Sequence, residues 1–418
     1  MLLLPISHNG YLSPIDALFT STSAVCVTGL IVKDTANDFT IFGQSVIIVL
    51  IQIGGIGYMA AVTFLAIVSK QKLSHRDRVL LKESLNYPDM KGLVRFLKIV
   101  FASIILIEII GAIILTLRFL YDMPADQAVW FGLFHSISAF NNAGFSLFDD
   151  NLMRYSGDIT INITMPILII TGGLGYMVLI ELRNYYKKDT KRLSTHTKLV
   201  LSMYLLLILI GMVLLLSLEW NAAFKNMGIG EKILAAWFTS VNYRTAGFNT
   251  IDLSKLTDAN LFFATFFMMT GGGPGGTAGG IKVIPVALAV IGTWYALKGD
   301  DNVHIFKRSI SHYNINKAYA MIFLASIYVV ISTIILSESE HLPFLRTLFE
   351  TCSAFGTVGV STGNGGVLSY SALFTNVGKM NIMLLMLAGR IGVFAFTVAI
   401  IGKFEKSRIK YAEGRVVL

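Results

Sequence analysis

The sequence predicts an all-α polytopic membrane protein made of four repeats of one unit: crossing helix, re-entrant helix, glycine loop, crossing helix. Three observations predict it. The 418 residues are 54% hydrophobic and only 14% charged, whereas soluble domains carry about a quarter charged residues. Apolar blocks lie near 42–68, 93–118, 159–181, 197–218, 259–297, 316–336 and 375–402, and a bilayer crossing needs roughly 20 residues. A small-residue motif ending in glycine recurs four times at nearly constant spacing, at Gly29, Gly144, Gly247 and Gly359.

The connections between blocks alternate in charge. Residues 70–98 hold eight Lys/Arg, 183–198 six, 298–317 four and 403–418 five, whereas 121–158 hold Arg154 against five acids. The positive-inside rule makes the basic set cytoplasmic and the acidic set external. The net charge of +9 therefore marks a membrane face and gives no reason to expect nucleic acid. Cys26 and Cys352 are too few for a disulfide framework, the histidines lack metal-ligand spacing, and no nucleophile elbow or zinc-protease motif occurs. The chain is not read as an enzyme, nor is Met1–Gly10 a signal peptide.

Each loop glycine follows a helix-compatible run too short to cross: Ser13–Ser23, Asp126–Ser138, Glu231–Ser240 and Leu342–Ser353. These are expected as re-entrant pore helices. A second motif lies in each following block: Gly54-Gly-Ile-Gly57, Gly172-Gly-Leu-Gly175, the run from Gly271, and Gly389-Arg-Ile-Gly392. A single Gly-x-Gly in a membrane helix suggests close packing, but four at one depth would also keep an axis clear. The units are 1–92, 93–196, 197–315 with an intramembrane glycine loop, and 316–418 with a cytoplasmic tail. The first has room for its re-entrant helix but not for a preceding crossing helix, so a segment is expected to be missing there.

Non-helical backbone at membrane depth must be buried in protein or line a water-filled cavity. Four equivalent loops around one central axis can aim backbone carbonyls at it, replacing the hydration shell of a monovalent cation. Glycine permits the positive-φ geometry this needs. The expected filter residues are Val25, Cys26, Val27, Thr28 and Gly29 in the first loop and Phe140, Asn141, Asn142, Ala143 and Gly144 in the second. Tyr243, Arg244, Thr245, Ala246 and Gly247 supply the third, and Phe355, Gly356, Thr357, Val358 and Gly359 the fourth. One glycine per loop predicts a shorter, less selective filter than a highly selective potassium channel has.

This plan, with Ser138-Ala-Phe-Asn-Asn-Ala-Gly-Phe145, Arg244-Thr-Ala-Gly-Phe-Asn249 and Ser353-Ala-Phe-Gly-Thr-Val-Gly359, resembles the Trk/Ktr/HKT superfamily of potassium transporters, most closely its Ktr-type membrane subunits. The resemblance covers essentially the whole chain. It implies potassium uptake across the bacterial plasma membrane, often sodium-dependent, by a homodimer with one pore per protomer. It also implies a cytoplasmic RCK-type ring that gates the pore, with the nucleotide held only by that partner. The basic segments Gln71–Asn86, Lys187–His196, Lys298–Asn314 and Glu405–Leu418 are candidate docking sites for the ring, or simple topogenic charge.

The segment Gly271, Gly272, Gly273, Pro274, Gly275, Gly276, Thr277, Ala278, Gly279, Gly280 cannot stay helical at about 1 kcal/mol per glycine and 3 per proline. It must join two half-helices. It lacks the Gly-Lys-Ser/Thr ending of a phosphate loop. In the resembling family this loop obstructs the pore below the filter, and it is read here as the gate. Arg390 stands where Gly55 and Gly173 stand in other copies. A charge there is costly without water or a partner, so it is either a structural arginine on carbonyls or an electrostatic barrier cooperating with the loop. Arg244 is expected behind the filter with Glu350 as a candidate partner. Glu108 reads as either a buried partner or an interhelical acceptor, and Asn141 and Asn142 either present side-chain oxygens or pack behind the loops. The competing function is a secondary symporter binding another substrate at the midplane.

Overall fold

The computed structural model describes residues 1–57, 93–363 and 368–401. The segments Gln71–Asn86 and Glu405–Leu418, and the second half of the first apolar block, lie outside the described residues.

Four short helices set the plan: α1 (Pro14–Val25), α4 (Ala125–Phe140), α8 (Ile229–Asn242) and α12 (Phe344–Gly356). At 1.5 Å per residue they reach about 18–24 Å, short of a hydrocarbon core of about 30 Å. Their starts are chemical. Ser13 accepts from the N–H of Asp16 with Pro14 in the first turn, and Glu231 reaches back to the Gly228 N–H, as capping requires. Each completely buries a phenylalanine at a matching position: Phe19, Phe134, Phe238 and Phe349. Those residues stand ten before Gly29, Gly144 and Gly359 and nine before Gly247.

Around them run α2 (Ile41–Ile56), α3 (Leu93–Phe119), α7 (Thr195–Glu219) and α11 (His312–Glu340). The last three are long and apolar enough to cross a bilayer. On α3, Ile105, Leu106, Ile109, Ile110 and Ile113 are exposed. Such a stripe would be a liability in water and is the expected outer face in lipid. The long helices pack on the short ones through small residues: Gly111 lies against Ser136 and Gly211 against Ser240, leaving no room for a Cβ.

The remaining helices come in pairs: α5 (Ile159–Gly173) with α6 (Tyr176–Tyr186), α9 (Asp258–Met269) with α10 (Val283–Leu297), and α13 (Asn376–Ile391) with α14 (Val393–Ile401). The block 259–297 is thus two helices joined by the glycine segment. The blocks 159–181 and 375–402, each expected as one span, are corrected: they bend by 104° and 117°. The cause is one residue in each. Gly175 has φ 98° and ψ 137°, Gly392 has φ 96° and ψ 139°, and Gly57 ends α2 with φ 89° and ψ 132°. That backbone is strained for L side chains and incompatible with helix. A two-stranded hairpin, β1 (His304–Ile305) with β2 (Arg308–Ser309), connects α10 to α11.

Candidate functional site

The loops after the four short helices share one backbone. Gly29, Gly144, Gly247 and Gly359 have φ of 92°, 72°, 82° and 86°. Two residues before each glycine, Val27, Asn142, Thr245 and Thr357 also hold positive φ, at 48°, 57°, 69° and 49°. This alternation, unfavourable for valine and threonine, turns successive carbonyls in a regular way. Val25, Phe140, Phe355 and Gly356, expected in the loops, instead close the last helical turns.

The loops meet. A Cβ on Gly29 would lie 2.5 Å from the Ala143 oxygen, and one on Gly144 2.6 Å from the Gly247 Cα. One on Gly247 would sit 3.0 Å from the Val358 oxygen, and one on Gly359 1.9 Å from the Thr28 oxygen. The contacts run from first loop to second, third, fourth and back to first, so four glycines close one ring. Side chains lock it from behind. Ser23 and Ser353 hydroxyls accept from the N–H of Gly29 and Gly359, both at 3.1 Å. Ser138 and Ser353 donate to the carbonyls of Phe145 and Val360. In the third loop the Asn242 side chain accepts from the Phe248 N–H at 2.9 Å. These supports were not singled out from the sequence; serine six residues before glycine is the signal.

The glycine segment sits under the ring. The helix break after Gly173 frees backbone groups that the segment satisfies: Gly273 N–H donates to the Gly173 oxygen at 2.8 Å, Thr277 N–H to Gly172 at 3.2 Å, and Tyr176 N–H to Gly275 at 3.1 Å. Its ends are pinched by Gly271 N–H to Ile281 at 2.7 Å and Ile281 N–H to Met269 at 3.0 Å. Above, Thr277 donates to the Asn142 side-chain oxygen at 2.7 Å, and Gly279 fits against Thr357 only without a Cβ. Gly271–Gly273 and Thr277–Gly280 are buried, and these bonds pair part of their backbone, in line with what membrane depth demands. Arg390, half-buried, donates to the oxygens of Thr277 and Gly54, and to Gly55 at 3.0 Å. The guanidinium thus bridges the segment to the end of α2. Lys282, not picked out as a site residue, donates to the Ala278 oxygen.

The glycines of the second motif divide two tasks. The last of each breaks the helix. The first lets the short helix end approach: a Cβ on Gly54, Gly172 or Gly389 would lie 2.0, 1.8 or 1.7 Å from the oxygen of Val25, Phe140 or Phe355.

Arg244 does not pair with Glu350. It is fully buried, donating to the Thr270 oxygen at 2.7 Å and the Phe267 oxygen at 2.6 Å, with its guanidinium 4.9 Å from the Phe267 ring. The orphan carbonyls at the end of α9 attract a cation. Glu350 instead accepts from the N–H and hydroxyl of Ser371 and from Ser361. Arg244→Gln leaves those carbonyls underserved, and a loss of about 2–4 kcal/mol is expected. Thermal unfolding in detergent checks it; unaltered stability with altered ion preference would place Arg244 in the pathway.

Glu108 accepts from Gln52 at 3.2 Å and from Asn141 at 3.0 Å, while Asn141 also donates to Gln52 at 2.9 Å. The carboxylate thus joins α2, α3 and the second loop. Asn141 is turned away behind the ring; Asn142 donates to the Arg244 oxygen at 3.3 Å. Both side-chain groups of Asn142 are engaged, by Thr277 and the Arg244 oxygen, whereas the Asn141 side-chain oxygen has no partner among the described residues.

Above the ring a cavity is lined by all four loop glycines, with Asp150 and Asp252 at its wall. Burial opposes ionisation of Asp252, but hydrogen bonds from Ser254 and Lys255 outweigh it and hold the carboxyl below its usual range. Four helix C-termini at the ring and an acidic mouth favour a cation.

Apolar helices enclosing four helix–loop segments that meet at one point define a polytopic helical membrane transport protein. Its family is established by comparison: residues 3–410 match the TrkH family, described as cation transport proteins, and the chain belongs to it. This is a family of transporters, not enzymes. The Ktr system potassium uptake protein B of Bacillus subtilis (strain 168) is 40% identical over all of this chain and 92% of its own length. The potassium/sodium uptake protein NtpJ of Enterococcus hirae is 34% identical over 97% of this chain and 89% of its own. The crystal structure of the potassium transporter TrkH from Vibrio parahaemolyticus superposes with TM-score 0.72 at 17% identity, covering 93% of this chain and 78% of that one.

Proposed function

We propose that this protein takes up potassium across the bacterial plasma membrane through one pore per chain. The ring of Gly29, Gly144, Gly247 and Gly359 is its selectivity filter, with the carbonyls of the four loops as ligands. The observation that carries this reading is the shared positive-φ pair in four loops that touch in cyclic order. The segment Gly271–Gly280 and Arg390 form the gate beneath. The repeats run 1–92, 93–196, 197–315 and 316–418, with the basic segments cytoplasmic. Potassium uptake by a 40% identical relative supports the substrate, and the word sodium in the name of NtpJ supports sodium dependence. The name Ktr system supports a multi-component assembly, here a homodimer on a cytoplasmic RCK-type nucleotide-binding ring.

Flux of potassium against sodium and rubidium in reconstituted vesicles, with the regulatory ring supplied, tests the reading. Potassium flux is expected to exceed sodium flux; no monovalent-cation flux would overturn the function. Gly29→Ser puts a side chain against the Ala143 oxygen at φ 92°. Roughly a tenfold loss of potassium preference, about 1.4 kcal/mol, is expected. Retained preference would remove the first loop from the filter.

A further inference from the structure

The bend after Gly173 swings α6 away from the line of α5 and leaves a groove of about 480 Å³ between α6 and α3. Apart from Ser103 its floor is apolar: Ile99, Ala102, Leu106 and Ile107 from α3, Leu179 and Ile180 from α6. Its rim is cationic: Arg95 and Lys98, one turn apart on α3, face Arg183 on α6. All three are exposed. Among the described residues none of them pairs with a carboxylate, whereas Arg118, at the other end of α3, binds Asp122 and Asp158. The cationic end leads into the basic segments assigned to the cytoplasmic face.

We propose that this groove binds an anionic phospholipid of the cytoplasmic leaflet, its phosphate on Arg95, Lys98 and Arg183 and an acyl chain along the floor. Basic pockets between membrane helices on this face suit such headgroups. The floor decides between ligands. From Arg95 to Leu106 the helix rises about 17 Å toward the bilayer centre, which suits an acyl chain and is superfluous for free phosphate or a nucleotide.

The test uses the full chain in nanodiscs of mixed phosphatidylcholine and phosphatidylglycerol, followed by native mass spectrometry of lipid retained after delipidation. Neutralising the rim (Arg95→Gln, Lys98→Gln, Arg183→Gln) is expected to weaken phosphatidylglycerol retention on the order of a hundredfold, about fivefold per charge. The equally charge-depleted control Lys187→Gln, Lys188→Gln, Arg192→Gln should retain it, as should the exchange Arg95→Lys, Lys98→Arg, Arg183→Lys. Ala102→Trp, which fills the floor without changing charge, is expected to lose the lipid as the neutral rim does, and it serves if that variant fails to fold. Equal retention in rim and control variants, or in Ala102→Trp and the unaltered chain, would overturn the proposal. So would displacement of the lipid by inorganic phosphate, or failure of a lipid-phase maleimide to reach Ala102→Cys, which would mean that protein fills the groove.

Discussion

Arg390→Ala is expected to raise potassium flux about tenfold or more, a barrier lowered by at least about 1.4 kcal/mol. The guanidinium does two things below the ring. It ties the Thr277 oxygen to those of Gly54 and Gly55, and on the proposed gate reading it also sets a positive charge beside the axis and keeps the glycine segment closed. Alanine removes both. Each carbonyl left without a donor costs about 1–3 kcal/mol where water does not replace it, so a less stable protein conducts faster. Arg390→Lys separates the roles: an ammonium keeps the charge but lacks the planar fork that reaches two segments at once. If charge alone resists potassium, lysine leaves flux low; if the bridge matters, flux rises toward the alanine level. Rates unchanged by Arg390→Ala and by shortening Gly271–Gly280 would remove the gate assignment.

What the sequence made legible, and what it hid, follows from the kind of interaction involved. Glycines in register are visible because no other residue serves where a positive φ and a backbone contact coincide, as at Gly359. The break within 259–297 is visible because seven glycines and a proline exceed what a helix tolerates. The bends after Gly173 and Ile391 are hidden because a single glycine in an apolar run costs only about 1 kcal/mol in a helix; Gly175 and Gly392 break it through their φ, which composition does not report. The strained partners Val27, Thr245 and Thr357 are hidden more deeply, since their β-branched side chains argue against positive φ and only tertiary contacts impose it. Glu350 was a wrong partner for Arg244 for a related reason. A search for charge finds a carboxylate, but the cation sits on the carbonyl ends of α9, acceptors that every residue carries.

Gly359→Ala is expected to abolish selective potassium uptake, and Gly392→Ala to leave it nearly intact. The two glycines hold nearly the same φ, 86° and 96°, so positive-φ strain on alanine, about 1–3 kcal/mol, is common to both. Space separates them. Around Gly392 nothing among the described residues lies within 4 Å of an added Cβ, whereas at Gly359 that atom would lie 1.9 Å from the Thr28 oxygen and 3.0 Å from the Gly29 Cα. Those are backbone atoms of the first loop, pinned by Ser23 through the Gly29 N–H. They cannot rotate aside as a side chain would. The fourth loop must retreat or the first must, and either movement opens the ring where its last loop meets its first. If the ring is the filter proposed above, carbonyl coordination depends on that closure, because displaced oxygens no longer replace a hydration shell. Potassium and sodium uptake by the two variants, compared with their unfolding temperatures, distinguishes strain from ring closure. Equal, modest losses in both would show that backbone strain alone acts at these glycines. A Gly359→Ala protein with unchanged potassium preference would mean that the first and fourth loops do not share a filter.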